Sequence, residues 1–252
     1  MKLKDRVAVV TGGAKGIGRA ICLAFAKEGA AIVVNYATSQ SEAEATARDV
    51  AANGGQAIAL RADVRVDAEA RALMIGAVEK FGRLDILVNN AGYTKRTPHA
   101  ELDLLTEELL DRTLTTNLKG PLYCARAAIP HMQKNGSGSI INITSVAGIM
   151  GTGSSIVYCS SKAGLSVMTK CLARAFAPQI RVNAIAPGFV DTGFVDSSPN
   201  MIESVKKRNH LSRIVAPEEI AAAALYLVTD GNALTGEELV MDGGVIALGV
   251  RT

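Results

Sequence analysis

The chain has 252 residues, 48 % of them hydrophobic, and a net charge of +3 at neutral pH. It is long enough for a substantial core, and no Pro/Ser-rich linker splits it, so a single domain over 1–252 is expected. The small charge and the lack of basic runs interleaved with aromatics exclude nucleic-acid binding, and no apolar run reaches the roughly 18 residues of a membrane span.

The basic start, Met1-Lys2-Leu3-Lys4, leads only to a short apolar stretch, which makes no signal peptide. A soluble cytoplasmic protein is expected. Four cysteines (Cys22, Cys124, Cys159, Cys171) and three histidines (His99, His131, His210) lack metal or redox spacing. They read as small buried thiols and scattered imidazoles, with no metal.

Short β-branched runs alternate with Ala-rich helical segments, the pattern of βαβ units on a parallel sheet. Strands are expected over 7–11, 31–35, 56–61, 84–89, 139–145, 180–186 and 238–241. Helices are expected over 17–28, 41–53, 67–81, 107–117, 118–133, 155–176 and 217–229, with a long loop over 187–215. Seven strands with helices between them make a doubly wound sheet, covered on both faces. Its ligands sit beyond the carboxyl ends of the strands.

The first strand runs into Thr11-Gly12-Gly13-Ala14-Lys15-Gly16-Ile17-Gly18. A glycine loop between a strand and a helix is the context of a dinucleotide site. Gly12 permits the tight turn, and Gly16 and Gly18 let the backbone approach a pyrophosphate at the helix N-terminus. The plain alternative is a turn with no ligand. A ribose 2′-hydroxyl is usually gripped by Asp or Glu at the end of the second strand. Here Asn35 stands there, followed by Tyr36-Ala37-Thr38-Ser39, and no carboxylate repels a 2′-phosphate. Lys15 could pair with that phosphate, although loop lysines are often only surface charge. Both features favour NADP(H).

Tyr158 and Lys162 are four residues apart, about one helical turn, so they share a face. An ammonium beside a phenol favours the phenolate and lowers its pKa from about 10. The pair reads as a tuned acid/base, and with the glycine loop it points to hydride transfer. Cys159 reads as core, and Lys206-Lys207-Arg208 as a solvated helix face.

The ordered set Thr11-Gly12…Gly16-Ile17-Gly18, Asp63-Val64, Asn89-Asn90-Ala91-Gly92, Asn117, Ser145, Tyr158…Lys162, Pro187-Gly188…Thr192 and Met241-Asp242-Gly243-Gly244 resembles the classical short-chain dehydrogenase/reductase family. The likeness spans almost the whole chain and is nearest in style to 3-oxoacyl-acyl-carrier-protein reductases. It implies a Rossmann-type α/β fold and an NADPH-dependent enzyme acting on ketones or secondary alcohols. It implies that Tyr158 is the proton donor in reduction and that Ser145 binds the substrate carbonyl. Lys162 would bind the nicotinamide ribose, and Asn117 would hold a water that extends a proton relay. Asp63 and Val64 would meet the adenine, and Asn90, Ala91 and Gly92 would line the cofactor. Pro187, Gly188, Val190 and Thr192 would reach the carboxamide.

The family also implies a homotetramer of dihedral symmetry, paired through the helix from Leu118 and the helix carrying Lys162. Carrier-docking reductases place basic residues where this chain has Pro130 and Gln179. A free ketone, keto-ester, diol or sugar therefore competes with an acyl-carrier-bound substrate. The segment 191–213, with Gly193, Ser197, Ser198 and Pro199, is expected to close over the substrate. A non-catalytic NADP(H) sensor is the remaining reading, although such proteins usually lose the tyrosine or lysine kept here.

Overall fold

The structure is a computed structural model that describes residues 1–195 and 198–251, so Ser197 of the expected closing segment lies outside the described residues. Seven parallel strands form one sheet. They are β1 (Val7–Val10), β2 (Ala31–Tyr36), β3 (Gln56–Arg61), β4 (Ile86–Asn89), β5 (Gly138–Ile143), β6 (Ile180–Pro187) and β7 (Glu238–Met241). Their order, β3-β2-β1-β4-β5-β6-β7, reverses direction between β1 and β4. The crevice for a ligand opens at that reversal, above the carboxyl ends of the strands.

Alternation along the strands builds two cores. Val10, Ile32, Val34, Val88 and Ile141 face one side. There they meet α1 (Gly16–Lys27) through Ile21 and Phe25, and α9 (Pro217–Thr229) through Ile220 and Leu227. Val9, Val33, Leu87, Ile140 and Val182 face the other side. They meet α3 (Asp67–Phe81) through Leu73 and Met74, and α5 (Gly120–Lys134) through Cys124 and Met132. Strands covered on both faces need apolar residues at successive positions, which is why β1 and β4 are buried throughout.

At the opposite end of the sheet Asp85, 2 % exposed, anchors β1 to β4. Its carboxylate accepts from the Val7 N–H at 2.9 Å and from Arg6 and Arg83 at 3.0 and 2.6 Å. Burial pushes its pKa up, but Arg83, the Val7 amide and Arg6 outweigh that and hold it below the ordinary aspartate value.

Several local expectations change. The helices read as 107–117 and 118–133 are one run: α4 (Glu107–Leu114) passes through a π-helical turn, Thr115–Lys119, into α5. The wider turn places Asn117 in the wall between helix and sheet, where it is fully buried. The long loop contains α8 (Pro199–Arg208), which starts on a proline, a residue suited to the first helical turn. A short helix α6 (Val146–Met150) follows β5 and α10 (Val245–Leu248) follows β7; neither is long enough to show a period in the sequence. The remaining helices are α2 (Gln40–Ala52) and α7 (Ile156–Phe176). Cys22, Cys124 and Cys159 are buried as expected, but Cys171 is exposed on α7. No described helix is long and apolar enough to cross a membrane.

Candidate active site

The glycine loop is welded to β4. The Thr11 hydroxyl accepts the N–H groups of Asn90 and Ala91, each at 3.0 Å. The Asn90 amide donates back to the carbonyls of Thr11 and Gly12, each at 3.0 Å. Gly18 meets a need that the sequence did not show: a Cβ there would lie 2.4 Å from the Gly12 carbonyl, so it closes the turn itself. Gly16 has φ +52° and would drive a Cβ to 2.8 Å from Thr192, so it permits the β6 loop to cross over.

Asn35 is 1 % exposed, and its amide is fully engaged. Its Oδ1 accepts from Gly12 N–H at 3.3 Å. Its Nδ2 donates to Ala62 O at 3.0 Å and to Leu60 O and Tyr36 O at 3.3 Å. The residue ties the glycine loop to the ends of β2 and β3 at the floor of the cleft, which it helps to line. At the end of β2 the cleft is bordered by Asn35, Tyr36, Ala37, Thr38 and Ser39. Lys15 also reaches it, but its ammonium is paired with Glu42 of α2 at 2.5 Å. Asp63 lines the cleft with its carboxylate held by Arg65 at 2.6 Å, and Val64 packs below against Gly120.

Beyond β5 and β6 stand the polar candidates. Ser145 caps α6: its backbone is extended and its Oγ accepts from Ala147 N–H at 3.2 Å. Tyr158 lies in the first turn of α7, which Ser155 caps by accepting from the Tyr158 N–H at 3.2 Å. Lys162, 4 % exposed, follows one turn later. Its Nζ donates to Ile143 O at 2.7 Å and sits 5.8 Å from the Tyr158 ring centroid. The three side chains thus converge from one helix, α7, and from the segment that joins β5 to α6. Asn117 is adjacent rather than exposed to the cleft. Its Oδ1 accepts from Tyr93 N–H at 2.8 Å, and its Nδ2 donates to Tyr93 O at 2.9 Å and Ser161 Oγ at 3.0 Å.

The expected lowering of the Tyr158 pKa by Lys162 is not met. Burial pushes the phenol up to about 12, against a hydrogen bond with Ser145 that lowers it. Burial likewise pushes the Lys162 ammonium down to about 8. The lysine points its charge at a carbonyl rather than at the phenol oxygen, so desolvation decides both groups.

Ser145, Tyr158 and Lys162 border one cleft of about 1420 Å³ together with Gly12 and Gly16 of the glycine loop. Pro187, Gly188, Val190 and Thr192 form its far wall, with Gly188 close against Asp242. The nucleotide end fits a dinucleotide. The N-cap of α1 makes no side-chain hydrogen bond and its first turn holds no acid, which leaves its N–H groups for an anion. Among the described residues, no group of His, Cys, Asp and Glu is arranged to hold a metal ion.

Sequence reasoning missed Tyr93, Arg112 and Phe194. The Tyr93 ring lies under the Arg112 guanidinium, 4.1 Å from its centroid, and Phe194 tilts against Tyr158 at 6.4 Å. The Thr94 and Ser154 hydroxyls are hydrogen-bonded across the cleft mouth. Only the π-turn and the loop crossings bring these together, so no spacing rule signals them.

Sheet order, glycine loop and cleft define a Rossmann-type α/β protein. A family profile described as enoyl-(acyl carrier protein) reductase matches residues 12–246. A 3-oxoacyl-[acyl-carrier-protein] reductase of a Synechocystis species is 41 % identical over 248 residues, 97 % of this chain and 98 % of the relative. A 3-oxoacyl-[acyl-carrier-protein] reductase of Staphylococcus aureus is 38 % identical over 241 residues, 94 % and 97 % of the two chains. The crystal structure of a short chain dehydrogenase from Burkholderia cenocepacia in complex with NADP has a TM-score of 0.91 and 33 % identity, covering 98 % of this chain and all (100 %) of that one. The chain belongs to the short-chain dehydrogenase/reductase family.

Proposed function

We propose that the protein is an NADPH-dependent oxidoreductase that interconverts a ketone and a secondary alcohol, most like a 3-oxoacyl-[acyl-carrier-protein] reductase. The observation that carries this reading is the convergence of Ser145, Tyr158 and Lys162 in one cleft with the glycine loop. The relatives named as ketoacyl-carrier reductases and the neighbour solved with NADP support it.

When bound, the nicotinamide supplies the hydride. Reduction of a ketone puts negative charge on its oxygen, which needs placed donors. Ser145 Oγ donates a hydrogen bond to that oxygen, and Tyr158 Oη transfers its proton to it. A phenol pushed up to about 12 stays protonated at neutral pH and is ready to donate in reduction. Lys162 holds the ribose side and, once turned toward the phenol, stabilises the phenolate left behind. Asn117 clamps Tyr93 and Ser161 and belongs to the relay that returns the proton. Gly12, Gly16 and Ile17 hold the diphosphate, with Gly18 behind them. Tyr36 and Lys15 would hold the 2′-phosphate, with Asn35 bracing Tyr36 and the glycine loop. Asp63 and Val64 flank the adenine, Asn90, Ala91 and Gly92 line the middle, and Pro187, Gly188, Val190 and Thr192 meet the carboxamide.

One catalytic domain spans 1–252, and the working form is a cytoplasmic homotetramer. Exposed Leu122 on α5 and Val167 on α7 support pairing through those helices, and exposed Val240, Leu248 and Val250 support a second contact at the C-terminus. The test of the activity is a substrate panel of β-keto esters and thioesters followed by NADPH absorbance. Tyr158→Phe is expected to lose turnover by about 10²–10⁴ while NADPH still binds in a calorimetric titration. Wild-type turnover in that variant rules out Tyr158 as the acid.

A further inference from the structure

We propose that the substrate carries an anionic group, a carboxylate or a phosphate ester, and that Arg112, with Arg96 and Arg208, holds it at the mouth of the cleft. This rests on the oxidoreductase reading and names the substrate class for it.

The chain is nearly neutral, with 27 Lys and Arg against 24 Asp and Glu. The cleft is not. Among the described residues, its lining contains seven cations (Lys15, Arg61, Arg65, Arg96, Arg112, Lys162 and Arg208) and one acid, Asp63. On the nucleotide side each exposed cation has a carboxylate: Lys15 has Glu42, Arg61 has Glu69 and Arg65 has Asp63. On the other side, among the described residues, Arg96, Arg112 and Arg208 form no ion pair. An unbalanced set of guanidiniums at a cleft mouth raises the local concentration of anions and leaves donors for them.

Arg112 is also positioned. Its guanidinium stacks on Tyr93 at 4.1 Å, and Tyr93 is clamped at both its N–H and its carbonyl by Asn117. A stacked guanidinium keeps its in-plane N–H edges free for a carboxylate or phosphate, which it grips in two-pronged fashion. Arg96 lies on the loop beyond Tyr93, a loop fixed by the Thr97 N–H donating to Ser154 O at 2.7 Å. Arg208 comes from the last turn of α8 and borders the same cleft. The anion would therefore sit on the Tyr93 side, away from the phosphates of the nucleotide.

The two sources of such an anion are a free oxo acid and the phosphate of a phosphopantetheine arm. Two matched pairs separate them: acetoacetate against ethyl acetoacetate, and acetoacetyl-phosphopantetheine against acetoacetyl-pantetheine. The charged member of one pair is expected to have kcat/KM higher by about tenfold or more. That ratio should fall to about one in Arg112→Gln and be partly restored in Arg112→Lys. Thermal melts check that the variants fold; if Arg112→Gln does not, the double variant Arg96→Gln/Arg208→Gln carries the same comparison. Equal kcat/KM within both pairs overturns the proposal. If none of the four ketones is reduced, the reductase reading fails and calorimetry decides the anion site separately. Heat on titrating 3-hydroxybutyrate or phosphopantetheine that Arg112→Gln abolishes upholds it, and no heat from either overturns it.

Discussion

Replacing Asn35 by Asp separates two roles for the end of β2. If the residue selected the nucleotide, a carboxylate would turn the enzyme toward NADH. The hydrogen bonds give another expectation. Nδ2 donates to three carbonyls, the nearest being Ala62 O at 3.0 Å, in a position 1 % exposed. Asp puts an acceptor where the donor was, so an ionised oxygen faces those carbonyls. Losing the donor costs about 1–3 kcal/mol, and leaving an unpaired buried charge brings the total to about 3–5 kcal/mol. For a chain of this size that lowers Tm by about 6–20 °C. The sign with pH follows. The buried carboxyl has a raised pKa, and when protonated it donates to Ala62 O. Asn35→Asp is thus least damaging below the unfolded Asp pKa of about 3.9 and loses stability as pH rises through its folded value. Differential scanning calorimetry across pH, with NADPH and NADH titrations, measures both. Ala37→Asp is the control: exposed on the cleft, it should shift preference toward NADH with little change in Tm. A variant Asn35→Asp that melts like wild type and prefers NADH would refute the reasoning.

Lys15→Ala should raise the KM for NADPH and scarcely affect NADH, whereas Glu42→Gln, which frees Lys15, should lower it; steady-state kinetics with both nucleotides decides, and an unchanged NADPH KM in both variants removes Lys15 from the site. Asp85→Asn should destabilise by about 1–3 kcal/mol at neutral pH. Because the folded pKa of Asp85 is lowered, its contribution is present above the unfolded value of about 3.9 and lost as pH falls through the folded one. The gap in Tm between wild type and variant should therefore close in acid, and a gap constant down to pH 3 contradicts the anchor. Light scattering at micromolar concentration should give a tetramer mass, and a charged residue at Val167 should shift it toward smaller species; a monomeric wild type rejects the assembly.

The sequence by itself determined the seven strands, their parallel pairing and most helix limits, because buried β-branched runs and 3.6-residue periods are local signals. It also pointed to Gly16, Ser145, Tyr158 and Lys162, each in a motif at the carboxyl end of a strand or on one helical turn, and the fold brings these four to one cleft. Helix α8 was hidden because it is short and polar, none of its residues is fully buried, and its composition resembles a loop. What only the tertiary structure decided is how neighbours use those residues. Asn35 stands at the cleft as the sequence placed it, and three carbonyls at the ends of β2 and β3 also claim its amide. Gly18 was singled out for the pyrophosphate, and the packing adds that the Gly12 carbonyl needs its missing Cβ. The Tyr158 phenol looked depressed by Lys162, yet burial raises it while Ile143 holds the ammonium. Arg112 carried no motif, and a π-turn and a stacked tyrosine bring it to the cleft. Hydrogen-bond partners, burial and the direction of a charge depend on residues distant in the chain, so no local spacing can state them.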